Sequence, residues 1–170
     1  MRTLVLGAIK SGKSRHAETL AAATGDEVVY LATADPGDAG MRERIARHRA
    51  RRPAHWYTRE TGESLAAAID AEAAVGRCLI VDCLTLWLVR FLERPDAWAA
   101  ERSALLELLP ALPGSVVMVS NEVGGGVIPA DPVSRWFVDE AGRLHQALAG
   151  CCQRVVWVTA GLPLTLKDDL

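Results

Sequence analysis

Gly7-Ala8-Ile9-Lys10-Ser11-Gly12-Lys13-Ser14 is a complete G-x-x-x-x-G-K-[ST] phosphate-binding loop. Its flanks are what the physics requires. Arg2-Thr3-Leu4-Val5-Leu6 before it is short and mostly apolar, as a buried strand should be. Ser14 to Ala23 after it is rich in helix formers. A glycine-containing turn between strand and helix aims successive backbone N–H groups at a phosphate, at the positive end of the helix dipole. Lys13 is expected to reach the β- and γ-phosphates, and the Ser14 hydroxyl to ligate Mg²⁺. A nucleoside triphosphate is the expected ligand.

Working outward from this loop, strands and helices alternate. Glu27–Ala32, Cys78–Asp82, Ser115–Ser120 and Arg154–Thr159 are continuous, β-branched apolar runs, the signature of strands covered on both faces. Helical segments are predicted over 13–23, 39–52, 62–73, 84–109 (broken near Pro95) and 133–149, with a short edge strand over 162–167. The pattern predicts an α/β fold: a doubly wound, mostly parallel sheet with helices on both faces. The 170 residues are expected to form one domain, 1–170.

Composition narrows the partners. A net charge of −2 gives no global attraction to nucleic acid or anionic lipid. No apolar stretch is long enough to span a bilayer. Met1-Arg2 leads directly into the first strand, so no signal peptide is expected. Lys167-Asp168-Asp169-Leu170 reads as a charged, frayed terminus rather than a retention signal. Cys78, Cys83, Cys151 and Cys152 form no C-x-x-C pair, so zinc is not expected and buried hydrophobic roles are. The expected compartment is the cytosol.

Three further segments carry chemistry. Asp82 closes an apolar strand, the pattern of a Walker B acid that holds Mg²⁺ directly or through water. The competing role is a cap for the helix that starts near Leu84. In Met41–Trp56, Met41 and Ile45 share one helical face. Arg44, His48 and Arg51 or Arg52 follow on another. Guanidinium groups suit multiply charged phosphate. Neighbouring cations also disfavour imidazolium, which helps to keep His48 neutral and nucleophilic. A neutral imidazole can attack an α-phosphorus to form a phosphoramidate. By spacing alone, a solvated basic face is the better description. Asn121-Glu122-Val123-Gly124-Gly125-Gly126 makes a flexible polar loop at a strand end, over the same crevice.

Together these pieces resemble the bifunctional adenosylcobinamide kinase / adenosylcobinamide-phosphate guanylyltransferase family of cobalamin assembly. The resemblance covers essentially the whole chain. It is carried by Gly7–Ser14 continuing to Glu18, Tyr30–Ala34, Met41–Trp56 with Arg52-Pro53, Thr58 and Glu60, Val81–Leu88, Asn121–Pro129 and Gly161–Leu164. It implies a RecA-like P-loop NTPase fold and a cytosolic homotrimer. It also implies two reactions: phosphorylation of the adenosylcobinamide hydroxyl by a nucleoside triphosphate (ATP or GTP), then transfer of GMP from GTP to that phosphate. His48 is then the GMP-carrying nucleophile. Gly7, Ala8, Ile9, Lys10, Ser11, Gly12, Lys13 and Ser14, with Ala32, Thr33, Ala34, Ala50, Arg51, Arg52, Pro53 and Glu60, line the nucleotide site, and Asp82 completes it.

The sequence departs from the family pattern at Ala8-Ile9-Lys10, where Gly-Ala-Arg is usual, and at Gly40, where an acid is common. Arg90 and His145 stand where asparagines are common. His16 and His55 do not match the nucleophile position. Two alternatives remain open on residues alone: a kinase of another small molecule, and a nucleotide-dependent switch or motor. The N-K-x-D guanine signature of small GTPases is absent, because Asn121-Glu122 is followed by Val123-Gly124.

Overall fold

A computed structural model describes every residue except Pro36, Asp38 and Leu170, and the backbone alone of Met41 and Arg44. The elements run β1 (Arg2–Gly7), α1 (Lys13–Ala23), β2 (Glu27–Ala32), α2 (Ala39–Ala50), β3 (Tyr57–Glu60), α3 (Leu65–Glu72), β4 (Arg77–Asp82) and α4 (Leu84–Val89). They continue with α5 (Pro95–Leu108), a 3₁₀ turn (Leu109–Ala111), β5 (Ser115–Asn121), α6 (Pro132–Cys151), β6 (Arg154–Thr159) and β7 (Leu162–Asp168). The seven strands form one sheet in the order β3-β2-β4-β5-β1-β6-β7. All neighbours are parallel except β6 and β7, which form an antiparallel hairpin.

The expected strands and the edge strand near 162–167 are present. The helical stretch 84–109 divides at Pro95, which opens α5, because proline fits the first turn of a helix and no later one. α2 stops at Ala50, short of the expected 52, since the residue before Pro53 is pushed out of the α region. α3 begins at Leu65 rather than 62. β3 has no counterpart in the sequence reading. Its four residues, Tyr-Thr-Arg-Glu, lie half-exposed at the sheet edge, too short and polar to carry an apolar period.

Register gathers the functional residues. In the parallel ladders Ala32 stands beside both Glu60 and Asp82, and Gly7 beside Asn121. The carboxyl ends of β1, β2, β3, β4 and β5 thus form one rim, where ligands bind in open α/β sheets.

The two faces are covered unequally. On one, Leu65 and Ile69 of α3, Trp87 and Leu88 of α4, Trp98 and Leu105 of α5, and Leu144 and Leu148 of α6 bury Leu4, Leu31, Leu79, Val81 and Met118. On the other, the helix with buried packing residues is α1, whose Ala17 and Ala21 let its backbone sit close to Val5, Val117 and Val119. α2 carries charged residues all round and leaves that face partly open. The open region is the crevice of the site.

The larger core is keyed by aromatics. Trp98 packs edge-on to Trp87 with ring centroids 4.8 Å apart, and lies 5.8 Å from Phe91. Its Nε1 donates to Glu140 Oε2 at 2.7 Å. That carboxylate is also paired with Arg102 and Arg143. Truncating this side chain opens a cavity and removes a donor from a buried acid. Trp98→Ala is therefore expected to lower unfolding free energy by about 3–5 kcal/mol, read as a fall in the urea midpoint at unchanged m-value.

Candidate functional site

The phosphate-binding loop is built by backbone constraints that only certain residues meet. A Cβ on Gly7 would lie 2.4 Å from the Val158 carbonyl oxygen and 2.5 Å from Ser11 Oγ. Gly12 has φ 99°, in the left-handed region. It also caps α1 without any side-chain hydrogen bond, at the positive end of the helix dipole. The Lys13 ammonium donates to the Ala8 carbonyl at 3.2 Å, inside the loop it is expected to serve. The β6–β7 turn braces the loop from outside: Gly161 N donates to Ser11 O at 2.8 Å.

Two clefts meet at this loop. One, of about 220 Å³, is lined by Ile9, Lys13, Ser14, Tyr30, Ala32, Ala34, Ile45, His48, Arg49, Arg52, Thr58, Glu60, Asp82, Cys83, Leu86 and Asn121. The other, of about 750 Å³, is lined by Lys10, Gly12, Lys13, Ser14, Arg15, Gly40, Arg47, His48, Ala50 and Arg51. Lys13, Ser14 and His48 belong to both. The first is mixed, with an aromatic, aliphatic groups and two carboxylates. The second carries five Lys and Arg side chains and suits a polyanion.

Most residues expected at the site do gather there. Ile9, Lys10, Gly12, Lys13, Ser14, Ala32, Ala34, His48, Ala50, Arg51, Arg52, Glu60 and Asp82 line one cleft or both. Gly7, Ala8, Ser11, Thr33 and Pro53 line neither. Thr33 is fully buried. Its hydroxyl donates to Cys83 O and accepts from Cys83 N, each at 2.7 Å, tying the end of β2 to the turn after β4. The basic stripe divides around His48, with Arg51 facing the polyanion cleft and Arg52 the other. The Arg44 side chain lies outside the described residues.

Asp82 does not cap α4, whose capping residue is Cys83. Its Oδ2 accepts a 2.6 Å hydrogen bond from the Tyr30 hydroxyl. Burial, and then the Asp82 charge, push the Tyr30 phenol well above its ordinary value, so it remains a donor. The Arg52 guanidinium carbon sits 3.3 Å from the Tyr30 ring centroid, and Arg52 Nη1 donates to Thr58 Oγ1 at 3.2 Å. Tyr30 escapes a motif reading because tyrosine in a strand is ordinary core. Its diagonal position across the β2–β4 ladder from Asp82 is the only clue. Cys83 is no rival nucleophile, since burial pushes its thiol up to about 11.

The described residues contain no group of three or more His, Cys, Asp and Glu side chains able to cage a metal ion. Ser14 and Asp82 on one cleft wall fit Mg²⁺ instead, which is held by one or two protein oxygens plus phosphates and water.

A phosphate loop before an uncapped helix, an acid on the neighbouring rim and a parallel sheet of this order define a P-loop nucleotide-binding protein of the RecA type. Solved structures agree on the fold. The RadB recombinase superposes with a TM-score of 0.54 at 16% identity, covering 92% of this chain and 73% of that one. The flagellar accessory protein FlaH from Methanocaldococcus jannaschii gives 0.50 at 10% identity, over 99% and 78%.

Sequence comparison then gives the family. The chain belongs to the cobinamide kinase / cobinamide phosphate guanyltransferase family, whose match spans residues 3–166. It is 56% identical over 171 residues to the bifunctional adenosylcobalamin biosynthesis protein CobP of Pseudomonas aeruginosa, covering 99% of both. It is 36% identical over 184 residues to the corresponding protein CobU of Salmonella typhimurium, over 98% of this chain and 100% of that one.

Lys13 is the loop cation that lines both clefts. Lys13→Ala is expected to weaken nucleoside triphosphate binding by about 1.5–3 kcal/mol, or roughly 10- to 150-fold in Kd. Isothermal titration with a non-hydrolysable GTP analogue measures it.

Proposed function

We propose that this chain, as a single nucleotide-binding transferase domain, carries out two group transfers at one nucleotide site. In the first, a nucleoside triphosphate phosphorylates the hydroxyl of the aminopropanol arm of adenosylcobinamide. In the second, GTP gives GMP to the resulting phosphate through His48. The observation that carries the reading is the placement of His48 in the wall shared by both clefts, beside Lys13 and Ser14.

In the second reaction a neutral imidazole nitrogen of His48 attacks the α-phosphorus of GTP. A P–N bond forms, the bond from the α-phosphorus to the bridging oxygen breaks, and pyrophosphate leaves. Lys13, Arg51 and the N–H groups of α1 stabilise the charge that develops on the leaving group. A phosphate oxygen of the cobinamide acceptor then attacks the same phosphorus, and the P–N bond breaks. Splitting the transfer avoids bringing two polyanions together in one step. Ser14 and Asp82 would hold Mg²⁺, which would supply neutralising charge to the phosphates. Tyr30 orients the Asp82 carboxylate, and Arg52 holds Tyr30.

The family resemblance supports a cytoplasmic homotrimer. β7 is consistent with an assembly, since Leu162, Leu164 and Leu166 alternate along the sheet edge and are 70%, 59% and 56% exposed. No helix among the described residues is long and apolar enough to cross a membrane.

Incubation with Mg²⁺ and GTP labelled at the α-phosphorus is expected to leave acid-labile, base-stable label on the denatured chain. His48→Ala is expected to carry none while still binding GTP. A wild-type chain that binds GTP but takes no label overturns the covalent mechanism and leaves a plain kinase.

A further inference from the structure

The two reactions differ in what their acceptors need. The phosphate that receives GMP is already an anion. The hydroxyl that receives the γ-phosphoryl group is neutral, and its proton must go to a base as the new bond forms. Three carboxylates close or directly follow strands on the ligand-binding rim: Glu60, Asp82 and Glu122. Asp82 is engaged by Tyr30. Glu60 ends β3, the edge strand farthest from the phosphate loop in this rim. Glu122 follows β5, next to β1. Its N–H donates to the Gly7 carbonyl at 3.0 Å, which fixes residue 122 against the loop that carries the phosphates.

The Glu122 side chain is held from two sides. Oε1 accepts from Gly124 N at 2.6 Å. Oε2 lies 3.5 Å from Nδ1 of His145. His145 is buried on α6, and its Nε2 is 2.7 Å from the hydroxyl of fully buried Ser120. Burial lowers the His145 pKa against the pull of Glu122, which favours a neutral ring. With Nε2 accepting from Ser120, the ring N–H is at Nδ1 and points to Glu122. That nitrogen has no hydrogen bond at 3.5 Å, so it is a donor waiting for a small approach of the carboxylate. A loop cap accounts for Oε1 alone. It does not account for a buried histidine aimed at Oε2.

We propose that Glu122 is the general base of the phosphoryl-transfer step and that His145 is its positioning residue, a role that rests on the kinase reading above. The hydroxyl O–H proton passes to the Glu122 carboxylate as the oxygen bonds to the γ-phosphorus. The bond from that phosphorus to its bridging oxygen breaks, and the nucleoside diphosphate leaves with the electron pair. Water takes the proton from Glu122 before the next turnover.

The bifunctional chain supplies its own control. Glu122→Gln is expected to lower kinase kcat on adenosylcobinamide by about 100-fold or more, with KM for ATP little changed. His48 labelling and GMP transfer to adenosylcobinamide phosphate are expected to stay within about twofold of wild type, because neither needs this base. His145→Leu is expected to lower kinase kcat about tenfold, and His145→Asn, which restores an N–H donor, to recover most of it. An E122Q chain with wild-type kinase activity overturns the proposal, as does one in which both reactions fall equally. A wild-type chain that transfers GMP but has no kinase activity overturns the kinase reading and the proposal with it.

Discussion

The turn from β1 into α1, capped by Gly12 without a side-chain hydrogen bond, is the constraint on which the candidate site depends. A helix start of this kind favours negative charge beside it. Here the turn into the helix is set by backbone geometry. Gly7 passes too close to the β6 backbone for any side chain, and Gly12 turns the chain in the left-handed region. The β6–β7 hairpin adds the outer brace, with Ala160 and Gly161 both at positive φ and the Gly161 amide bonded to Ser11. The antiparallel edge strand therefore belongs to the phosphate site as much as to the sheet.

Unequal covering of the sheet gives the loop a cleft to work in. α3, α4, α5 and α6 build a deep core on one face, closed by Trp87, Phe91 and Trp98. That side supplies most of the apolar burial, and with it most of the stabilisation. The opposite face holds α1 and leaves the strand ends near β2 and β3 accessible. α2 lacks an apolar stripe and borders this opening, so its residues line the clefts rather than the core. Stability and function are thus divided between the two faces.

Charge around the rim is arranged in pairs that limit repulsion. Asp82 is tied to a phenol that stays protonated, and that phenol is covered by Arg52. Glu122 is bonded by a backbone amide and faced by a neutral imidazole. His48 stands between a mixed cleft and a strongly basic one.

The sequence by itself determined the phosphate loop, the alternation of strands and helices, and the family. Each is local: a turn that needs glycine at fixed offsets, apolar runs of strand length, and motifs read within a few residues. β3 was not legible, because a four-residue polar edge strand is defined by its partner β2 and not by its own composition. Nor were the roles of Tyr30, Thr33 and His145. Tyrosine, threonine and histidine in apolar elements look like core, and only the β2–β4 register and the packing of α6 on β5 show what each one touches. Whether His48 was solvated or part of a site was open on spacing alone. The tertiary structure puts His48 in the lining of both clefts, since a residue's neighbours across a cleft depend on how distant segments pack and leave no local pattern in the chain.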